Sequence, residues 1–352
     1  MNILVTGAAG FIGFFLTKAL LERGDQVIGV DNINDYYDVN LKYSRLGELG
    51  ISKTDVSWNK PSTSNVDQNF KFYRMNLEDK DSLMSLCDEY QFDIIVNLAA
   101  QAGVRYSIEN PDVYIQSNIV GFFNVLEAAR RIKVKHLVYA SSSSVYGMNE
   151  KIPFSVQDSV DHPVSLYAAT KKSNELMAHS YSHLYGIPTS GLRFFTVYGP
   201  WGRPDMAYYL FADAISTGRP IKVFNHGNMK RDFTYIDDII AGIVSIISKP
   251  PTPATEISDL NNSKRLLSDA PYRICNLGNN RPVKLMDFIN VIEENLRIKA
   301  KIDFLEMQSG DVPATWADIE DSIENFGYQP STSIEEGMER FIRWYRSFRK
   351  VV

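Results

Sequence analysis

Residues 2–23 read NILVTGAAGFIGFFLTKALLER, and this stretch decides the fold. Its first five residues are apolar enough to predict a buried strand, and the pattern from Phe11 to Arg23 predicts a helix. Gly7, Gly10 and Gly13 lie in and just after the turn between them. A glycine turn from a strand into a helix directs backbone N–H groups and the positive end of the helix dipole at one point. This GxxGxxG variant of the dinucleotide fingerprint therefore predicts a pyrophosphate site.

The rest of the chain continues this alternation of strands and helices. Further strands are predicted at Gln26–Asp31, Phe70–Asn76, Asp93–Ala99, His136–Ser141, Thr189–Phe194 and Arg273–Leu277, and further helices at Asp81–Tyr90, Asp112–Arg131, Tyr167–Tyr185 and, as an amphipathic closing helix, Ile334–Phe348. Strands without polar alternation are covered on both faces, so we predict an α/β fold with a doubly wound parallel sheet. Two polar stretches, Gly50–Asn69 and Lys249–Ser263, predict surface loops.

Composition and charge exclude several functional classes. The net charge of -5 provides no positive field for a nucleic-acid backbone, so we expect no nucleic-acid partner. Cys87 and Cys275 are the only cysteines and lie far apart, which predicts neither a disulfide framework nor a cysteine zinc site and favours a reducing, cytoplasmic location. No apolar stretch reaches the roughly 18 residues of a membrane span. His179 and His183 share a predicted helix but not the face of Tyr167, so we expect surface or interface histidines and no metal.

Asp31 ends the second predicted strand, downstream of the glycine turn. A carboxylate at this place accepts hydrogen bonds from both ribose hydroxyls of a dinucleotide and repels a 2′-phosphate. Asp31 therefore favours NAD over NADP. The alternative is an aspartate that only ends a strand at the surface.

Tyr167 and Lys171 lie four positions apart, on one face of a predicted helix. The lysine and a positively charged nicotinamide would both lower the pKa of the phenol, so that Tyr167 could act as a base. A chain with 19 tyrosines can contain such a pair by chance.

The serine run from Ser141 to Ser144 follows the fifth predicted strand, at the edge where doubly wound sheets bind ligands. It can supply hydroxyls to a substrate alcohol or form only a polar loop.

Together, these features resemble the extended short-chain dehydrogenase/reductase family of nucleotide-sugar enzymes over nearly the whole chain. The resemblance implies that Tyr167 is the base, Ser142 its hydrogen-bonding partner and Lys171 its electrostatic support. It also implies a Rossmann-type domain, mainly residues 1–192 with returns near 233–248 and 273–277, and a smaller mixed α/β domain for a UDP-sugar, mainly 193–352. The implied NAD contacts are Gly7, Gly10, Phe11, Ile12, Gly13, Asp31, Asn32, Asn76, Leu77, Leu98, Ala99, Ala100, Asn118, Tyr167 and Lys171. Asn76 stands where an aspartate is common beside the adenine.

Three runs, at residues 97–107, 193–207 and 310–318, are similar to those of UDP-glucuronate 4-epimerases. The resemblance implies oxidation at C4, rotation of the 4-keto sugar and reduction on its other face. Ser143 and Ser144 stand where dehydratases of the family carry an acidic pair, and UDP-glucuronate decarboxylases carry a glutamate at the place of Ser144. Dehydration and decarboxylation are therefore disfavoured. A UDP-glucose or UDP-N-acetylglucosamine 4-epimerase and a non-enzymatic NAD-sensing protein remain alternatives.

The 4-keto form of a uronate is a β-keto acid that can lose carbon dioxide. Our hypothesis is that Ser143, Ser144 and Thr196 donate hydrogen bonds to the carboxylate and that Arg203 tethers or gates the substrate. Resemblance places the remaining substrate contacts at Arg231 and Gln308 (diphosphate), Asp311 (uridine ribose), Val223 and Phe224 (uracil) and, with less support, Arg105. Arg231 could instead pair at the surface with Asp232. In related proteins the helices predicted at 112–131 and 167–185 form a homodimer interface, so a homodimer is expected.

Overall fold

The structure, a computed structural model, describes residues 1–253, 268–307 and 312–350. Its strands are β1 (Asn2–Thr6), β2 (Gln26–Asp31), β3 (Pro61–Thr63), β4 (Phe70–Arg74), β5 (Ile94–Asn97), β6 (His136–Ala140), β7 (Thr189–Phe194), β8 (Thr196–Tyr198), β9 (Ile221–Phe224), β10 (Lys230–Tyr235), β11 (Tyr272–Leu277), β12 (Pro282–Lys284) and β13 (Ile302–Leu305). Most of the predicted loop at 249–263, together with Gln308 and Asp311, lies outside the described residues.

Eight of these strands form one sheet in the order β11-β7-β6-β5-β1-β2-β4-β3. All neighbours pair in parallel except β3 and β4. From β1 the chain builds outward through β2 and β4, and it then returns to the other side of β1 to form β5. The strand order therefore reverses between β1 and β5, which is where doubly wound sheets open a crevice for ligands.

Helices surround this sheet. They are α1 (Phe11–Glu22), α2 (Val39–Glu48), α3 (Lys80–Tyr90), α4 (Tyr106–Glu109), α5 (Pro111–Tyr114), α6 (Phe122–Ile132), α7 (Leu166–Tyr185), α8 (Ala207–Ser216), α9 (Ile236–Ile247), α10 (Leu285–Leu296), α11 (Glu320–Phe326) and α12 (Ile334–Arg349). A π-helical segment, Ile115–Gly121, joins α5 to α6, so the helix predicted from residue 112 is continuous but not regular.

Successive side chains of β1 pack on opposite faces of the sheet. Ile3 and Val5 belong to the core cluster that contains the apolar side of α1, whereas Leu4 belongs to the cluster that contains Leu83 of α3 and Val125 of α6. Both faces are therefore covered, as the unbroken apolar pattern of the strands requires. The prediction of a doubly wound α/β sheet is confirmed.

The polar stretch at 50–69 differs from the surface loop that its composition predicts. It contains β3, which pairs antiparallel with β4 and closes that edge of the sheet. A short edge strand needs only one buried side chain, here Ser62, so it carries no apolar alternation that a sequence could reveal. Because of β3, the strand that precedes the serine run is the sixth along the chain and not the fifth.

Two smaller sheets stand beside the carboxyl end of the large one. β8, β10 and β12 form one of them, and β9 pairs in parallel with β13 to form the other. The closing helix α12 begins after Ser333, whose hydroxyl accepts a hydrogen bond from the N–H of Glu336. It buries Met338, Phe341 and Ile342 against the core, as its amphipathic pattern predicts.

Candidate active site

A cavity of about 1080 Å³ runs along the carboxyl ends of the large sheet and reaches the two smaller sheets. Most of the residues singled out from the sequence line it. Those with predicted cofactor roles are Gly7, Gly10, Phe11, Ile12, Gly13, Asp31, Asn32, Leu77, Leu98, Ala99, Ala100, Tyr167 and Lys171, and those with predicted substrate roles are Arg105, Ser142, Ser143, Ser144, Thr196, Arg203, Phe224 and Arg231. Residues from the whole length of the described chain thus meet in one space.

The glycine turn is built so closely that side chains cannot enter it. Gly7 has a φ of 73°, and a Cβ on it would lie 2.9 Å from the backbone nitrogen of Ala99. A Cβ on Gly13 would collide with the carbonyl oxygen of Gly7. Helix α1 begins at Phe11 with its amino end at the cavity, so a bound phosphate could approach the backbone N–H groups directly. The turn fits the pyrophosphate of a dinucleotide.

Asp31 lies at the end of β2 and is 8% exposed. Its Oδ1 accepts a hydrogen bond of 2.8 Å from the N–H of Ile33, which fixes the carboxylate beside the cavity. The side-chain amide of Asn32 donates to Oδ1 of Asn76 at 3.1 Å. Asp31 therefore faces the space where a ribose would follow the pyrophosphate, and the donor and acceptor groups here fit NAD.

Asn118 and Asn76 are not among the residues that line the cavity. Asn118 is 1% exposed, and its side-chain amide is used within the protein. It accepts from the N–H of Gln101 at 2.8 Å and donates to the carbonyl of Gln101 and the hydroxyl of Thr170. Asn118 thus braces the loop after β5 against α7, so its place is behind the wall of the cavity.

Helix α7 presents Tyr167 and Lys171 to the cavity. The hydroxyl of Ser165 caps the helix by accepting from the N–H of Ala168 at 3.1 Å, so the first turn is fixed two residues before Tyr167. Lys171 is buried, and its Nζ donates to the carbonyl of Ala140 at 2.9 Å. Ser142, two residues after Ala140, hydrogen-bonds the phenol of Tyr167. The end of β6 and the start of α7 therefore hold the predicted triad together.

The electrostatics of the triad differ from the sequence expectation in two respects, because burial has the largest effect on the phenol and the cation that acts on it is Arg203 rather than Lys171. Burial raises the pKa of the Tyr167 phenol, and the hydrogen bond from Ser142 and the charge of Arg203 only oppose this rise. Burial also lowers the pKa of Lys171 to about 8, so its ammonium persists at neutral pH. The expectation of a lowered phenol pKa considered charges alone, and it left out the cost of forming an anion away from water.

Hydroxyl groups and one guanidinium line the cavity near Tyr167. Ser143 and Ser144 begin a single 3₁₀ turn, and the N–H of Ser144 donates to the hydroxyl of Ser142 at 3.2 Å. Thr196 begins β8 and is half-buried. Arg203 reaches the same cavity from the loop between β8 and α8. The four residues that were predicted to meet a carboxylate therefore all line the same cavity.

The part of the cavity assigned to uridine diphosphate is described only in part. Arg105 places its guanidinium 4.9 Å from the centre of the Phe224 ring. Val223 is fully buried and does not line the cavity, whereas Ile221, Lys222 and Phe224 of the same strand do. Arg231 donates to the carbonyl of Lys230 at 2.9 Å.

Asp232 lies in the interior and not at the surface where a pair with Arg231 was considered. It is fully buried and accepts backbone N–H groups of Asn279, at 2.6 Å, and Ala317, at 2.9 Å.

Sequence reasoning gave no role to a group of residues at the cavity, one of which, Asp205, lies in the recognised run at 193–207. Tyr36 and Asp205 line the cavity, and their hydrogen bond of 3.0 Å joins positions 169 residues apart. Arg45 lies beneath them, fully buried, and donates to the carbonyls of Ala9 and Trp201 at 2.9 and 2.6 Å. Two sequence signals could have indicated a role: Asp205 lies in the run at 193–207, and Tyr36 follows shortly after Asp31, where the chain leaves the sheet at its ligand-binding edge.

The histidines of α7 pair with polar side chains of the segment at 268–269. His179 pairs with the hydroxyl of Ser268 at 2.7 Å, and His183 pairs with Asp269 at 3.0 Å. Among the residues that the structure describes, no group of three or more histidine, cysteine or acidic side chains could hold a metal ion. None of the helices in the described ranges is both long and apolar enough to cross a membrane.

With this fold and site, the chain belongs to the NAD-dependent epimerase/dehydratase family, which matches residues 3–258. It is 51% identical over 350 residues to protein CapI of Staphylococcus aureus, a match that covers 99% of this chain and 100% of that protein. It is also 47% identical over 345 residues to a probable UDP-glucuronate 4-epimerase of Rhizobium meliloti, with 98% and 97% covered.

A solved structure shows the same architecture. UDP-glucuronic acid 4-epimerase from Bacillus cereus, in complex with UDP-glucuronic acid and NAD, matches with a TM-score of 0.82 at 31% identity. The match covers 99% of this chain and 100% of that one. The large and small sheets therefore have the arrangement of a protein that holds a dinucleotide and a nucleotide sugar together.

Proposed function

We propose that the protein is a UDP-glucuronate 4-epimerase, which interconverts UDP-glucuronate and UDP-galacturonate with NAD as its cofactor. One observation carries the proposal. Tyr167, Lys171 and Ser142 line the same cavity as the glycine turn and the group formed by Ser143, Ser144, Thr196 and Arg203. A site that can oxidise a substrate alcohol therefore shares the cavity with polar side chains that suit an acidic sugar. The relatives and the solved structure that carry this activity in their names support the assignment.

Tyr167 is the proton acceptor in this proposal. Its phenolate takes the proton of the C4 hydroxyl, and the hydroxyl of Ser142 orients both oxygens by hydrogen bonding. Lys171 supplies a positive charge near the phenolate, since its pKa of about 8 leaves it protonated at neutral pH. Bound NAD⁺ supplies hydride acceptance from C4 and, in the reduced form, hydride return to the opposite face of the planar 4-keto sugar. Tyr167 then returns its proton to the new C4 hydroxyl.

The polar pocket controls the fate of the sugar carboxylate. Carbon dioxide leaves a 4-keto uronate when the C5–C6 bond aligns with the carbonyl, because the electron pair of that bond then becomes an enolate. Ser143, Ser144 and Thr196 donate hydrogen bonds that keep the carboxylate ionised and out of this alignment, and Arg203 limits its movement. A dry pocket would instead favour loss of the charged group.

The same proposal assigns the cofactor and the substrate to different parts of the chain. The Rossmann-type domain, mainly residues 1–192 with returns at 233–248 and 273–277, holds NAD, and residues 193–352 mainly hold the UDP-sugar. Arg231 and Gln308 contact the diphosphate, Asp311 contacts the ribose, and Phe224 lies near the uracil with Arg105 above it. The cation over the Phe224 ring supports this placement, because both residues line the cavity and offer a charged and a flat surface side by side.

We also propose a cytoplasmic homodimer. Ile115, Phe123, Leu176 and Leu184 are exposed apolar residues on α6, α7 and the π-helical segment, and together they offer a face for a second copy. Cys87 and Cys275 are buried free thiols, which suits a reducing compartment.

Product analysis tests the function directly. The protein and NAD⁺ are incubated with UDP-glucuronate, with UDP-glucose as a competing substrate, and the nucleotide sugars are separated. We expect UDP-galacturonate as the main product and little conversion of UDP-glucose. Tyr167→Phe should abolish turnover, whereas Tyr90→Phe, which removes a hydroxyl at the edge of the fold, should not. Equal turnover by Tyr167→Phe, or preference for UDP-glucose, would contradict the proposal.

A further inference from the structure

The guanidinium of Arg203 is held within its own loop by the carboxylate of Asp205. Nε donates to Oδ1 at 3.0 Å, and Nη2 donates to Oδ2. The two side chains are only 23% and 27% exposed, so the pair is partly shielded from water. A pair with two parallel hydrogen bonds fixes the plane of the guanidinium. It occupies the edge formed by Nε and Nη2 and leaves Nη1 outside the pair.

Asp205 is itself held from another part of the chain. The hydroxyl of Tyr36 donates to Oδ2 of Asp205 at 3.0 Å. Arg45 makes a second tie between the same segments, since its Nη1 donates to the hydroxyl of Tyr37 at 2.8 Å and its Nε to the carbonyl of Trp201 at 3.0 Å. The segment after β2 and the loop after β8 are therefore joined at two points, which leaves Asp205 little freedom to follow a substrate.

We propose that Asp205 and Tyr36 are positioning residues that hold Arg203 by one edge and so determine how it meets the carboxylate of a uronate. This inference rests on the proposed function. With this edge of the guanidinium occupied, three N–H groups remain, two on Nη1 and one on Nη2, so the substrate can meet Arg203 only at that end, in the plane that Asp205 fixes. The serine and threonine hydroxyls then supply the other hydrogen bonds to the carboxylate. An arginine without this restraint could turn either edge to the carboxylate and draw it away from those hydroxyls. The negative charge of Asp205 also weakens the attraction between Arg203 and the anionic sugar. Arg203 therefore orients the carboxylate more than it tightens binding.

The same pair affects the base. Arg203 lowers the pKa of Tyr167, and Asp205 offsets part of its charge. The other ionisable side chains near this phenol are Lys171 on its own helix and Tyr114, whose ring centre lies 6.1 Å from that of Tyr167. Neutralising Asp205 would leave the cation uncompensated and lower the phenol pKa. Because the phenolate is the active form, the acid side of the pH–rate profile would then move to lower pH.

Asp205→Asn and Tyr36→Phe test the inference with UDP-glucuronate as the probe. For Asp205→Asn we expect about a tenfold rise in the ratio of UDP-pentose to UDP-galacturonate, the scale of one lost hydrogen bond to a charged group. Calorimetry should show tighter binding of UDP-glucuronate relative to UDP-glucose, and the acid limb should move to lower pH. Tyr36→Phe should raise the pentose ratio less and leave the acid limb in place, because it removes no charge.

Asp88→Asn is the matched control. Asp88 makes the same two-bond pair with Arg131, at 2.8 and 2.6 Å, but at the surface and outside the lining of the cavity. Asp205→Asn could match this control in its ratio of UDP-pentose to UDP-galacturonate, in its relative affinity for UDP-glucuronate and UDP-glucose, and in the acid limb of its pH–rate profile. That result would overturn the inference and leave the proposed function standing. If Asp205→Asn does not fold, an unchanged product ratio in Tyr36→Phe decides against it. A wild-type protein that leaves UDP-glucuronate unchanged overturns the proposed function, and this inference with it.

Discussion

The substitution Lys171→Met removes the positive charge of the lysine and keeps most of its packing, so it tests the charge alone. Side chains four apart on a helix lie about 6 Å from each other. A unit charge at ~6 Å contributes about 3 kcal/mol in a site with an effective dielectric constant of ~20. This corresponds to about two pKa units, or about a 100-fold smaller fraction of phenolate below the phenol pKa. Methionine keeps most of the buried stem of the side chain, so the fold should persist.

The assay is the pH dependence of kcat/KM for formation of UDP-galacturonate. Loss of the cation raises the phenol pKa, so the acid limb of Lys171→Met should move up by about two pH units and the rate at neutral pH should fall about 100-fold. In the wild type, Lys171 loses its proton above a pKa of about 8 and its support for Tyr167 with it. The variant should therefore lack a fall in rate that begins near this pH.

Lys172→Met is the control for this experiment, because Lys172 is the next residue of α7 and does not line the cavity. Thermal unfolding of both variants shows whether the fold is intact. An acid limb that stays in place in a folded Lys171→Met protein would refute the assignment of Lys171 as the electrostatic partner of Tyr167.

Three further perturbations test other parts of the site. Gly13→Ala should weaken NAD binding at least tenfold, because the new Cβ displaces the carbonyl of Gly7; fluorescence titration with NADH measures this, and Gly47→Ala, which meets nothing within 4 Å, is the control. Thr196→Ala should release UDP-pentose beside UDP-galacturonate, as separation of the products would show. Leu176→Arg should shift the protein to a monomer in light scattering, whereas Ile323→Arg, on another exposed apolar position, should not.

Each of these predictions has an outcome that contradicts it. Unchanged NADH affinity in Gly13→Ala would mean that the glycine turn does not hold the pyrophosphate. A Thr196→Ala protein that epimerises more slowly, without any pentose, would remove Thr196 from control of the carboxylate. A dimer that survives Leu176→Arg, or a wild type that is already monomeric, would exclude the proposed helix face.

The sequence could predict those parts of the site that depend on neighbours along the chain. The turn at Gly7 follows from a strand, a helix and three glycines within one short stretch. Tyr167 and Lys171 share a face because the helical repeat places residues four apart together. Ser142 could be placed because it directly follows a buried strand. In each case the local backbone determines where the side chain points, so no distant contact had to be known.

Other features depend on contacts that no local pattern records. Residues from both faces of β9, Ile221 and Phe224, line the cavity, so only the packing around the strand decides that Val223 is fully buried and does not reach it. Asn118 carries an amide that suits a ligand equally well, yet it is used to brace Gln101. The phenol pKa depends on burial, which becomes known only when the walls of the cavity are in place.

Arg45 shows why such contacts matter for function. It is a fully buried cation that donates to the carbonyl of Ala9, within the glycine turn, and to that of Trp201, two residues before Arg203. Carbonyl oxygens in the interior must be paired, so Arg45 fixes both loops by satisfying them at once. Movement of either loop would leave a buried charge or carbonyl without its partner. The loop that would receive the cofactor and the loop that would receive the sugar acid are therefore held in register by one side chain that does not line the cavity.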